Sequence, residues 1–192
     1  DVYEAKAVPY SADELALFKR GGTNAPASVA NAEKATVKEF PPGTSLLFAQ
    51  AMQENNQKRF EEAERLLIEV LRQDANHFLT LANLAATQLL QDHLEDAEKT
   101  IRHALEIEPK NSYALFLLGH LKYKQAKYDE ALDALSLSAK LNANDPWTQY
   151  FLGKTLIEKG DRTAAETALR KSIQLKPDLS DAHYSLALVY AT

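Results

Sequence analysis

The stretch Lys127–Leu141, KYDEALDALSLSAKL, decides the fold. Taken alone it is a short amphipathic helix: Asp129 and Glu130 favour a helix start by facing its positive end, and Tyr128, Ala131, Leu132 and Leu135 share one face at helical spacing. What makes it decisive is that Ala131 recurs. Ala63, Ala97, Ala131 and Ala165 stand 34 residues apart, and Leu67, Ile101, Leu135 and Leu169 follow them on the same interval. Leu84, Leu118, Leu152 and Leu186 repeat likewise, each followed by a small residue: Ala85, Gly119, Gly153 and Ala187, with Ala51 one interval ahead of Ala85. A period of this length with small residues at two fixed points marks a stacked supersecondary unit.

Each period holds two helices. In the third, Leu115, Leu118 and Leu121 form one apolar face, a break follows at Gln125 to Lys127, and the Tyr128 face begins the second helix. "EKGDR", Glu158 to Arg162, reads as a tight turn with Gly160 ending a helix. "NANDPW" reads as the next start, with Asp145 as N-cap and Pro146 in the first helical position. Helix axes 8–10 Å apart need a small side chain where they approach most closely. Gly119 and Gly153 are therefore expected where the first helix of a unit meets the second, and Ala131 where the second meets its neighbours. One such pair cannot bury its apolar face alone, so units must stack.

The pattern resembles the tetratricopeptide repeat family, whose units carry an L-G pair in the first helix, A-x-x-x-F in the second and a closing proline. Here the motif reads Leu118-Gly119 with Ala131-x-x-x-Leu135, and Leu152-Gly153 with Ala165-x-x-x-Leu169 and Pro177; Pro109 closes the second unit. Gln50 stands where leucine is expected, and Ala75 and Ala143 replace the closing proline. The resemblance implies an all-α, right-handed α-solenoid of helix-turn-helix repeats. Its expected units are residues 44–77, 78–111, 112–145 and 146–179, with a last helix at 180–192, behind an N-terminal segment of residues 1–43.

Function in that family is binding, so the resemblance implies a protein-interaction scaffold whose first helices line a concave groove. On this chain the groove is expected to show Phe48 and Met52, then Asn83, then Tyr113, Phe116, His120 and Tyr123. Trp147, Tyr150 and Lys154 follow from the fourth unit, and Tyr184 and Leu188 from the last helix. Seven aromatics, even half exposed, would present roughly 500–900 Å² of apolar surface, as much as or more than the largest patch usual on a soluble monomer; the alternative is that several of these rings, Phe116 and Tyr150 first, point between helices and fill core. The expected partner is an apolar or amphipathic protein segment. Relatives that grip a carboxylate tail use clusters of lysine, arginine and asparagine; Lys154 and Asn83 form no such cluster. Two other functions fit the same pattern: self-assembly into homo-oligomers, and a regulatory domain of a larger protein.

Composition narrows the rest. The 192 residues are 45% hydrophobic and 26% charged, with a formal net charge of −5. Without a basic run, nucleic acid is not an expected partner, and no apolar segment approaches the length of a membrane span. The absence of cysteine excludes thiol catalysis and disulfides. It leaves the compartment open between the cytoplasm and a bacterial periplasm or envelope. His77, His93, His103, His120 and His183 include no pair at the spacing of a helical zinc site. The "GGTN" at Gly21 lacks the GK[ST] of a phosphate loop. No catalytic constellation, cofactor or metal site is expected.

Ahead of the repeats, "YSADELALFKRGG" has its own grammar. Ser11 and Glu14 form a capping box, Tyr10 and Leu15 a hydrophobic staple, and Gly21-Gly22 a stop. A helix this short does not hold alone in water. Leu15, Leu17 and Phe18 need a surface, and the Ala-, Ser- and Pro-rich linker after them is long enough to bring Val8–Phe18 back to the groove. At the other end, Leu186, Val189 and Tyr190 lead to the expectation that the natural chain continues past Thr192.

Overall fold

The computed structural model describes Phe40 and residues 42–191. The Val8–Phe18 stretch, expected to form a short helix, and the linker up to residue 39 lie outside the described residues. Among the described residues there are nine α-helices and no strands: α1 Ser45–Asn56, α2 Phe60–Gln73, α3 Phe78–Leu90, α4 Leu94–Ile107, α5 Ser112–Lys124, α6 Tyr128–Leu141, α7 Pro146–Glu158, α8 Arg162–Leu175 and α9 Ser180–Ala191. They pair as α1/α2, α3/α4, α5/α6 and α7/α8, and each second helix also packs on the next first helix. Successive first helices touch as well, α3 with α5, α5 with α7 and α7 with α9. Second helices approach one another less closely, so the first helices form the inner, more tightly spaced layer.

The periodic small residues sit at the closest approaches. A Cβ built on Gly119 would lie 2.4 Å from Leu135 Cγ and 3.3 Å from the Ala131 carbonyl oxygen. On Gly153 it would lie 2.6 Å from Leu169 Cγ and 3.3 Å from the Ala165 oxygen. Ala63, Ala97, Ala131 and Ala165 are all fully buried, as are Leu67, Ile101, Leu135 and Leu169. The beat in the sequence is thus a steric requirement at helix crossings.

The turns repeat more faithfully than their sequences do. Lys58, Asp92, Ala126 and Gly160, 34 residues apart, all take positive φ, between 58° and 80°. At each the following amide reaches five residues back: Arg59 N to Glu54 O at 2.9 Å, His93 N to Gln88 O at 2.9 Å, Lys127 N to Lys122 O at 2.9 Å and Asp161 N to Leu156 O at 3.0 Å. This is the Schellman closure of a helix end. Gly160 carries it without strain, while the three non-glycine residues hold the same conformation against their Cβ.

The starts of α5, α7 and α8 are capped by side chains. Asn111 Oδ1 accepts from Tyr113 N (2.9 Å) and Ala114 N (3.1 Å), Asp145 Oδ2 from Thr148 N (2.8 Å), and Asp161 Oδ1 from Ala164 N (3.0 Å). Pro146 occupies the first turn of α7 behind its Asp145 cap.

Carboxylates on the second helices clamp the next unit. Glu64 accepts from Gln88 (2.9 Å) and Gln91 (2.7 Å). One period on, Glu98 accepts from Lys122 (3.1 Å) and Gln125 (2.9 Å). Glu166 accepts from Tyr190 at 2.7 Å, again 24 residues ahead. The intervening position is Leu132, and the residue 24 ahead of it is Leu156, so the clamp there is an apolar substitution on both sides.

Candidate functional site: an aromatic inner face

The first helices α5, α7 and α9 carry a row of aromatics along the inner layer. On α5, Phe116, His120 and Tyr123 fall on one face at i, i+4 and i+7. They surround Phe151 of α7, with ring centroids 5.8 Å (Phe116), 4.2 Å (His120) and 5.8 Å (Tyr123) away. Tyr150 meets Phe151 at 5.1 Å and Trp147 at 6.2 Å, both edge-to-face. Lys154, one turn further along α7, stands over this group, 4.8 Å from the Tyr123 centroid, 5.5 Å from Tyr150 and 5.9 Å from Phe151. The row ends on α9 with Tyr184 and Leu188, one period after Tyr150 and Lys154, and both are exposed, at 67% and 45%.

The residues expected on the groove separate into three groups. Tyr184 and Leu188 are open. Met52, Tyr113, Phe116, Tyr123, Trp147 and Lys154 are half-buried. Phe48, Asn83, His120 and Tyr150 are buried, which corrects the expectation that they show in an open groove. The physical causes differ. Phe40, expected in the linker, lays its ring 4.6 Å from that of Phe48 and 4.5 Å from His77, and so covers the first unit. Asn83 lies among tightly packed first helices; its Nδ2 donates to Leu79 O at 2.7 Å, and its buried Oδ1 has no hydrogen-bond partner. His120 is pressed against Phe151. Tyr150 bonds Ser185 of α9.

The aromatic floor also sets ionisation. Burial, aided by the nearby cations Lys124 and Lys154, lowers the His120 pKa to about 3, so the imidazole is neutral at ordinary pH. Burial pushes the phenols of Tyr123 and Tyr150 up to about 12. None of these groups is tuned toward proton transfer near neutrality. Two contributors escaped the sequence reading, Phe151 and Phe40. Phe151 occupies the position of Leu117 and Asn83 in earlier units, and its aromatic character there was the available signal.

The other histidines have local roles. His77 Nδ1 pairs with Thr80 Oγ1 at 2.7 Å, His103 Nε2 with Asn76 Oδ1 at 2.8 Å, and His183 Nε2 with Pro177 O at 2.9 Å. Among the described residues no group of His, Asp and Glu is arranged to hold a metal ion, and no helix is long and apolar enough to cross a membrane.

Helical hairpins stacked through small residues, with first helices inside, define a repeat-built interaction scaffold. Comparison with known proteins agrees. A tetratricopeptide repeat model matches residues 55–121, and the model of anaphase-promoting complex (cyclosome) subunit 3 matches residues 91–172. These matches support the tetratricopeptide repeat family, and the fold is that family's right-handed α-solenoid. It is 29% identical over 166 residues to the TPR repeat-containing protein PA4667 of Pseudomonas aeruginosa, a match covering 84% of this chain but 27% of that protein. Among solved structures it is similar to the MamA protein, with TM-score 0.63, 25% identity and coverage of 77% of this chain and 81% of that one. It shares the fold of TTC0263, a thermophilic TPR protein of Thermus thermophilus, with TM-score 0.69, 18% identity and coverage of 77% and 81%.

Proposed function

We propose that the inner face from α5 to α9 binds an apolar or amphipathic segment of a partner protein. One observation carries the reading. On the inner face of α5 and α7, Phe116, Tyr123 and Trp147 each keep part of their surface open around the buried Phe151 and Tyr150, with Lys154 over the rings, and Tyr184 and Leu188 continue the row on α9 at the repeat positions of Tyr150 and Lys154. A rigid aromatic floor with an open apolar edge suits an incoming side chain, because little ordering is needed on the protein's side.

The test is site-specific photo-crosslinking in native extract. Benzoylphenylalanine at position 184 is expected to capture a discrete partner. The same group at Leu137, an exposed apolar position on the second helix α6, is expected not to. Equal capture at both sites would refute the inner-face reading.

The Val8–Phe18 stretch of this chain is itself an occupant of suitable chemistry under this reading, since it joins Leu15, Leu17 and Phe18 to Asp13 and Glu14. Removing residues 1–39, which leaves Phe40 on the first unit, would then raise the binding of an apolar dye with helicity unchanged. Loss of protection in α1 and α2 instead would mean that the segment caps the first unit.

A further inference from the structure

We propose that Lys154 is the recognition point for a side-chain carboxylate, so that the segment taken by the inner face carries one Asp or Glu set among large apolar residues. The proposal rests on the inner-face reading above and adds the chemistry that selects the partner.

Lys154 is half-buried and stands over three rings, yet it forms no hydrogen bond or ion pair with any described residue. Other well-covered lysines are paired. Lys122 reaches Glu98 and Glu130, each at 3.1 Å, and Lys124 reaches Asp92. The surroundings of Lys154 are felt in its pKa, which burial lowers; Asp181 and Glu158 pull the other way and Lys124 adds to the lowering. Asp181 and Glu158 thus lie near enough to attract the ammonium without pairing with it.

An ammonium has three N–H donors. A ring face attracts the charge but offers no lone pair, so the three rings compensate only part of the hydration that burial has removed. A carboxylate arriving here would meet a donor already stripped of much of its water and would form a charge-assisted bond in low-dielectric surroundings. The apolar companions on the same inner face are Trp147, two turns back on α7, and Tyr184 with Leu188, one period after Tyr150 and Lys154 on α9. A segment with many acids is disfavoured, because Asp181 and Glu158 flank the site and the chain carries a net charge of −5.

The experiment is selection from a random displayed-peptide library on the full chain and, in parallel, on its Lys154→Met form, with Lys154→Gln as a second variant should the methionine disturb folding. Wild-type selections are expected to share an Asp or Glu within a turn of Leu, Phe, Tyr or Trp; variant selections should keep the apolar residues and lose the acid. Binding of a selected peptide and its Glu→Gln copy is then followed by the fluorescence of Trp147, the single tryptophan. The Gln copy should bind wild type about tenfold more weakly, as loss of a charge-assisted bond predicts. The two peptides should bind the variant equally. Apolar peptides without acid enrichment, or a Glu preference that persists without Lys154, would overturn the proposal and leave the inner-face reading standing. Failure of wild type to select any apolar peptide would overturn both.

Discussion

Replacing Gly119 by alanine sets two effects against each other at one atom. Inside a helix, alanine is favoured over glycine by about 0.8–1 kcal/mol. The new Cβ, however, would stand 2.4 Å from Leu135 Cγ, 2.8 Å from its Cδ2 and 3.3 Å from the Ala131 carbonyl oxygen. Leu135 is fully buried, and the atom in the way is its branch point rather than a free tip, so relief requires a shift of α5 or α6. Overpacking of this kind costs about 1–3 kcal/mol. Steric crowding therefore wins, and Gly119→Ala is expected to destabilise the protein by roughly 1 kcal/mol net. The motif itself does not forbid the methyl, because Ala51 and Ala85 hold the same position in the first two units. It is the close approach of α5 to α6 that does. A second background isolates this cause. Leu135→Ala costs about 2–5 kcal/mol as a cavity, but it removes the clashing atoms, so adding Gly119→Ala there should stabilise by about 1 kcal/mol. The assay is urea unfolding followed by circular dichroism, with hydrogen exchange in α5 and α6, since repeat arrays can unravel in parts. A stabilising effect of Gly119→Ala in both backgrounds would refute the crowding argument.

Three further outcomes are expected. Hydrogen bonds from Gln125 and then Lys122 hold the Glu98 carboxyl at about 2, below its ordinary 4.5. A depressed folded value stabilises fully above pH 4.5 and loses that contribution as pH falls toward 2. Acid titration of stability should therefore lose about 1–2 kcal/mol in that window, after discounting for solvent screening, and Glu98→Gln should flatten it. Ala126→Gly should stabilise by about 0.5 kcal/mol, because relief of the left-handed strain at φ 58° exceeds the entropy that glycine adds to the unfolded chain; a lower melting temperature would contradict this. Asn83→Leu, which copies Leu117 one period later, should raise stability by about 1 kcal/mol by removing the unpartnered Oδ1, and a destabilised variant on thermal unfolding would show that the buried amide is better satisfied than its geometry indicates.

Much of this protein was determined by its sequence. The recurrence of Ala131 and Leu135 and the pairing of Gly119 with its counterparts define helical hairpins of fixed length that must stack, because one hairpin cannot bury its own apolar face. The Asp145-Pro146 start and the Gly160 stop could be read directly, since their chemistry is local. The turns at Lys58, Asp92 and Ala126 could not, because their left-handed residues are held by the Schellman bonds and the packed hairpin rather than by residue type. The site divides in the same way. The sequence named the aromatics of the first helices, since a repeat fixes which positions are equivalent. Only the tertiary structure decided which of them are covered. Phe40 folds over Phe48, Ser185 holds Tyr150, and Phe151 draws Phe116, His120 and Tyr123 around itself, whereas Tyr184 and Leu188 occupy equivalent positions on α9 and remain exposed. Equivalence in sequence sets the direction a side chain takes from its helix; exposure depends on what the neighbouring unit brings against it, and that differs at every step along the stack.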